Sequence, residues 1–263
     1  MSSDLSTAIR DALLTSGKRA KVMKTRALVR DYRRGTLPVR FTAAMPDEPA
    51  WPDQLTVLSP GQMPKRGKGG SQRNRIALWH SIAHIEFVAI DLALDIVGRF
   101  GAEMDEAFIA DFLSVAADEA MHFALIERHL ASMGAAYGDL PVHDGLWQSA
   151  SDTAHDVAAR LAVVPMVLEA RGLDVTPAML ERVRSQDDSR GAKILQRILD
   201  DEINHVAAGS RHFTAWCARK RLNPSIHWIN CVKTHFRGGL KPPFNDSARL
   251  AAGLSRESYT SLV

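Results

Sequence analysis

Two stretches of this chain, Asp118-Glu119-Ala120-Met121-His122 and Asp201-Glu202-Ile203-Asn204-His205, repeat one pattern, Asp-Glu-x-x-His. On an α-helix a Glu and a His three residues apart lie on one face, so a carboxylate oxygen and an imidazole nitrogen can converge on one cation. A single Glu-x-x-His is a weak signal, because short patterns recur by chance. Here each copy is preceded by an isolated glutamate inside an apolar run, Glu86 and Glu169. The spacing is the same in both cases, 33 residues (119 − 86 and 202 − 169). The chain therefore contains an internal repeat of two helical hairpins, each presenting one Glu from its first helix and Glu-x-x-His from its second.

Four carboxylates on buried helical stripes at one level would repel each other unless cations were present. Four glutamates and two divalent ions cancel formally, and His122 and His205 complete the set. Oxygen and imidazole donors suit iron or manganese, and the lack of thiolates argues against an iron–sulfur cluster or a structural zinc. Two metals about 3.5–4 Å apart are expected. Asp118 and Asp201 lie one turn before His122 and His205, where a carboxylate can hold the distal nitrogen of an imidazole ligand and fix its tautomer. His80 and His84 are spaced i, i+4 but rotated away from Glu86, which points to surface or supporting packing. His129 and His212 are expected at the helix ends. Gly209 is unusual, since an interior helical glycine costs about 1 kcal/mol against alanine. With Ala207 and Ala208 beside it, it either leaves room for a substrate or permits close helix packing.

The rest of the chain reads as helix, with no strand signal of any length, so the class is all-α. Residues 4–34 form a basic amphipathic arm, broken near Ser16-Gly17 and carrying Lys18, Arg19, Lys21, Lys24, Arg26, Arg30, Arg33 and Arg34. Prolines at 38, 46, 49, 52, 60 and 64 make 36–70 an extended segment, closed by a second basic cluster of Lys65, Arg66, Lys68, Arg73 and Arg75. Both clusters are candidates for an acidic partner, RNA or a carrier protein. The four long helices are expected at 75–100, 103–133, 147–172 with a kink at Pro165, and 189–221. A short helix is expected from Thr176-Pro177 to about Gln186, and smaller pieces after Asn223-Pro224. This gives three regions: a basic arm and Pro-rich segment (1–71), a four-helix bundle carrying the metal site (72–221), and a C-terminal helical extension (222–263). No apolar run is long enough to span a bilayer and the N-terminus lacks a secretory pattern, so the expected address is the cytoplasm. Cys217 and Cys231 have neither redox nor zinc spacing and are expected as buried thiols.

The sequence resembles the ferritin-like superfamily, and more closely the bacterial family known as domain of unknown function 455. The motifs that carry this are Ala83-His-Ile-Glu86, Ala117-Asp-Glu-Ala-Met-His122, Gly138-Asp139, His143-Asp-Gly-Leu-Trp147, Ala154-His-Asp156, Leu168-Glu-Ala-Arg-Gly-Leu-Asp174 and Asp201-Glu-Ile-Asn-His205. The resemblance implies a ferritin-like four-helix bundle with extra helical segments at both ends. It also implies a di-metal site at Glu86, Glu119, His122, Glu169, Glu202 and His205. The expected activity is that of an oxygen-dependent di-iron oxidase or hydroxylase, with dioxygen and an unidentified organic substrate as partners. The alternative is a metal-handling protein of ferroxidase, peroxidase or manganese catalase type without an organic substrate. A radical-generating subunit resembles a site with a tyrosine beside the metals, whereas Tyr32, Tyr137 and Tyr259 all lie off the core helices. A rubrerythrin-like peroxidase resembles a bundle with a Cys-x-x-Cys iron module, which this chain lacks.

Overall fold

A computed structural model describes residues 4–64 and 70–263. The described residues are helical and contain no strand, so the class is all-α. No helix among them is long and apolar enough to cross a membrane. Lys65, Arg66 and Lys68 of the second basic cluster lie outside the described residues. The chain divides into two compact units, 1–147 and 148–263. The boundary falls between the two copies of the repeat, whereas the boundaries expected near 71 and 221 fall inside the units.

In the first unit, α1 (Leu5–Leu13) and α2 (Lys18–Arg33) break at Ser16-Gly17 as expected, and α3 (Gln72–Phe100) and α4 (Glu106–Ser132) form the long hairpin. Asp105 caps α4 by accepting from Phe108 N at 2.9 Å, and Glu106 adds a carboxylate at its positive end. Gly134 closes the helix at φ +77°, a conformation that disfavours a side chain. α3 packs principally on α4 and also on α1, so it is buried almost all round from Leu78 to Phe100. The extended segment crosses the end of α3 at very short range. A Cβ on Gly98 would meet the Met45 sulfur, and one on Gly101 would meet the Phe41 ring. Those glycines therefore serve close packing, and α3 runs through Gly98 without a break.

The basic arm is half structural. Lys21 is fully buried and paired with Asp91, which contradicts its assignment to a basic surface. Arg19, Lys24, Arg26, Arg30, Arg33 and Arg34 remain exposed, while Val22, Thr25, Leu28 and Val29 form the buried face of α2.

The second unit corrects the expected third helix. It is broken into α5 (Gly145–Asp152, which begins at the end of the first unit), α6 (Val157–Val163), a π-helical turn (Val164–Glu169) and α7 (Ala170–Arg184). Asp156 caps α6 through Ala158 N and Ala159 N, and buried Arg160 reaches back to Thr153 Oγ1 at 3.0 Å, so the break is stabilised on both sides. Thr176-Pro177 starts no new helix; α7 continues through it. Proline cannot donate to the carbonyl of Leu173 four residues back, and Asn245 Nδ2 donates to that carbonyl instead, at 3.1 Å. Arg249 holds the neighbouring Asp174 bidentately at 2.8 and 2.7 Å. α8 (Ser189–Lys220) ends at Arg221, followed by α9 (Pro224–His235), α10 (Asp246–Ala251) and α11 (Arg256–Thr260).

Candidate metal centre

Antiparallel packing of α3 on α4 places Glu86 opposite Glu119 and His122. His122 Nδ1 lies 3.1 Å from Glu86 Oε2 and 3.5 Å from Glu119 Oε2. One ligand atom from each of the three lies within 4.8 Å of the others, and all three side chains are buried. The register is fixed one residue further along each helix, where the rings of Phe87 and Phe123 meet at 5.0 Å. Burial pushes the His122 pKa down, but the Glu119 and Glu86 carboxylates outweigh it and hold the imidazole up at about 11. In the metal-free chain the imidazolium thus stands between two carboxylates and leaves one formal negative charge in a dry site. A divalent cation with neutral imidazole brings the same three residues to zero, so the donor set fits a metal.

In the second unit, Glu202 and His205 share one face of α8, both buried, with His205 Nδ1 3.7 Å from Glu202 Oε2. Glu169 is half-buried and is the last residue of the π turn. Asp118 is half-buried, and Asp201 accepts from Arg197 on its own helix.

The histidines outside the ligand set have defined structural tasks. His80 Nε2 accepts from Gly138 N and Leu140 N, pinning the turn after α4. Neither His80 nor His84 is at the surface. His84 Nε2 faces the His143 carbonyl at 2.8 Å and so donates to it; Nδ1 is therefore the acceptor for the Tyr137 hydroxyl at 2.9 Å. Burial holds the His84 pKa down at about 4. His129 is buried edge-on to Trp79.

Tyr137 is the residue that position in the sequence misjudged. It lies in a turn, yet it is 2% exposed and its ring packs 5.2 Å from both Phe87 and Phe123, the chain neighbours of Glu86 and His122. Burial, then the Asp91 charge, raises its hydroxyl pKa well above the usual tyrosine range. Lying off the core helices is thus no measure of a tyrosine's distance from the ligands. The neighbouring Gly138-Asp139 is a signal that a tight turn here could fold back on α3.

Gly209 allows a close approach between α8 and the π turn. A Cβ there would lie 2.5 Å from Cβ and Cγ of Pro165, so the proline ring fills the space in which a substrate was one expectation. Cys217 and Cys231 are buried free thiols, as expected.

Residues 14–260 match the family model described as "Protein of unknown function (DUF455)". An uncharacterized protein of Haemophilus influenzae is 38% identical over 213 residues, covering 79% of this chain and 74% of that one. No solved structure matches.

Proposed function

The chain belongs to the family described as Protein of unknown function (DUF455), and from its buried ligand residues we propose that it is an oxygen-activating di-iron oxidase or hydroxylase with a ferritin-like core. In this reading Glu86, Glu119, His122, Glu169, Glu202 and His205 hold two iron ions, with manganese as the alternative metal, in a cytoplasmic protein. The observation that carries the proposal is the convergence of Glu86, Glu119 and His122, three buried donors within 4.8 Å of one another. The exact repetition of their spacing supports assigning the same task to Glu169, Glu202 and His205. Bound iron would supply the activation of dioxygen for attack on an organic molecule. The chain's own contribution is to keep water from the carboxylates, to neutralise the cations and, at His122, to give up a proton as the metal enters. Asp118 and Asp201 are proposed to orient the imidazoles.

The filled space at Gly209 favours a second reading, in which iron or peroxide is itself the substrate, as in a ferroxidase, a peroxidase or a manganese catalase. Metal analysis of anaerobically purified protein, followed by oxygen uptake with and without extracts of a deletion strain, separates the two. Oxygen uptake coupled to modification of an organic molecule is the expected result. Uptake that only tracks added ferrous iron, with many irons retained per chain, would select the second reading, and absence of bound iron or manganese would reject both.

The exposed arginine and lysine row of α2 is proposed as a surface for an acidic partner, RNA or a carrier protein. Binding there is expected to weaken steeply between 50 and 200 mM salt, on the order of tenfold or more. Binding measured with the Arg26→Glu/Arg30→Glu variant checks this, and unchanged affinity would dismiss the surface.

A further inference from the structure

The two copies of the repeat differ in how their ligand helices meet. They are offset by 83 residues (169 − 86 and 205 − 122). One turn before the single Glu and one turn after the His, the first copy carries Ile82 and Ile126, both buried. The second copy carries Pro165 and Gly209 at those positions. Two branched side chains thus occupy these positions in the first hairpin. In the second, a proline ring sits directly on bare α8 backbone, so close that a single added methyl group would collide with it at 2.5 Å.

The contact point lies four residues from a ligand on each side: Pro165 from Glu169, and Gly209 from His205. Pro165 also stands at the start of the π turn that ends at Glu169. A π turn holds an extra residue, which rotates the residues after it by about 100° relative to an uninterrupted α-helix. The face on which Glu169 emerges is therefore set by this turn. On another side the turn's approach is held by α9, where the buried Trp228 Nε1 donates to the Ala162 carbonyl at 3.1 Å. Nothing equivalent interrupts α3, which is α-helical through Ile82 and Glu86.

Building on the di-metal reading, we propose that Pro165 and Gly209 are positioning residues: their contact fixes the π turn against α8, aims Glu169 at the cation shared with Glu202 and His205, and makes the two metal positions inequivalent. A glycine kept only for helix packing would, when changed, lower stability without altering the ligand field.

The test is a cobalt(II) titration of the metal-free full-length chain, followed by ligand-field absorption, bound cobalt and the thermal unfolding midpoint. The wild-type chain is expected to show two spectrally distinct components. In Gly209→Ala one component should weaken by about 10–100-fold, the scale on which orientation of a ligand governs affinity, while the other stays unchanged. Pro165→Ala, which removes the ring and restores an N–H without adding bulk on α8, should alter the same component and carries the test if Gly209→Ala does not fold. Wild-type protein that binds no cobalt would overturn the metal reading itself. Two wild-type components that survive unchanged in a folded variant, or a lowered midpoint with identical spectra, would overturn this proposal alone.

Discussion

Glu119→Ala is expected to lower bound metal from about two ions per chain to fewer than about one, with the far-ultraviolet helical signal unchanged. Glu119 is fully buried on the middle of α4, and its Oε2 lies 3.5 Å from His122 Nδ1. No backbone oxygen can replace it, because helix carbonyls are committed along the axis. The helix itself should survive: removing one of two facing carboxylates relieves repulsion, and alanine is the best helix former. Elemental analysis and circular dichroism on the same preparation check both halves of the result. Metal content equal to wild type would remove Glu119 from the site and, with it, the reading of the repeat.

The second large effect concerns the buried pair that joins α2 to α3. Lys21 Nζ pairs with Asp91 Oδ1, both side chains fully buried, and Trp51 Nε1 donates to Asp91 Oδ2 at 3.1 Å. Burial pushes the Asp91 pKa up and Lys21 pulls it back, leaving it at about 6 against 3.8 for a free carboxyl. Such a raised group contributes stability that is full below 3.8 and is lost as pH climbs through about 6. Lys21→Met removes the downward pull, so the Asp91 pKa rises further, and at neutral pH folding must either protonate the carboxyl or bury its charge unpaired. The expected cost is about 3–5 kcal/mol at neutral pH, shrinking as pH falls towards 4 and the carboxyl protonates. Lys21→Met/Asp91→Leu should recover most of the loss, since an apolar pair of similar volume strands no charge. Urea unfolding of the three proteins across that pH range checks it; a cost independent of pH would mean that lost packing, rather than charge, is responsible.

What could be read in advance was whatever repeats or punctuates. The doubled spacing located Glu86, Glu119 and His122, and the structure gathers those three. Ser16-Gly17, Gly134 and Asn223-Pro224 marked real helix boundaries because they act through local backbone geometry. The misjudgements were of residues whose role depends on a distant partner. Lys21 resembles its exposed neighbours in composition, and only Asp91, 70 residues on, makes it a core residue. Pro177 carries the pattern of a helix start, and only Asn245 allows the helix to run through it. Asp156 carries a local signal: an aspartate before Val-Ala-Ala-Arg is an N-cap, and it interrupts the continuous third helix that the apolar spacing suggests.

The closure of α7 by Asn245 and of Asp174 by Arg249 also bears on the order in which the protein can be finished on the ribosome. Synthesis runs from the N-terminus, and units generally fold as their residues emerge. By residue 147 the first unit has its hairpin, its cap residues and both partners of its buried ion pair. The second unit has α7 and the π turn early, but the Leu173 carbonyl waits for Asn245, and Asp174 has only Arg171 beside it until Arg249 follows. Glu169 lies four residues from that gap, and Ser210, five residues past His205, waits in the same way for the Gly253 carbonyl, so nascent chains would complete the Glu86, Glu119 and His122 set while the later copy is still unfinished.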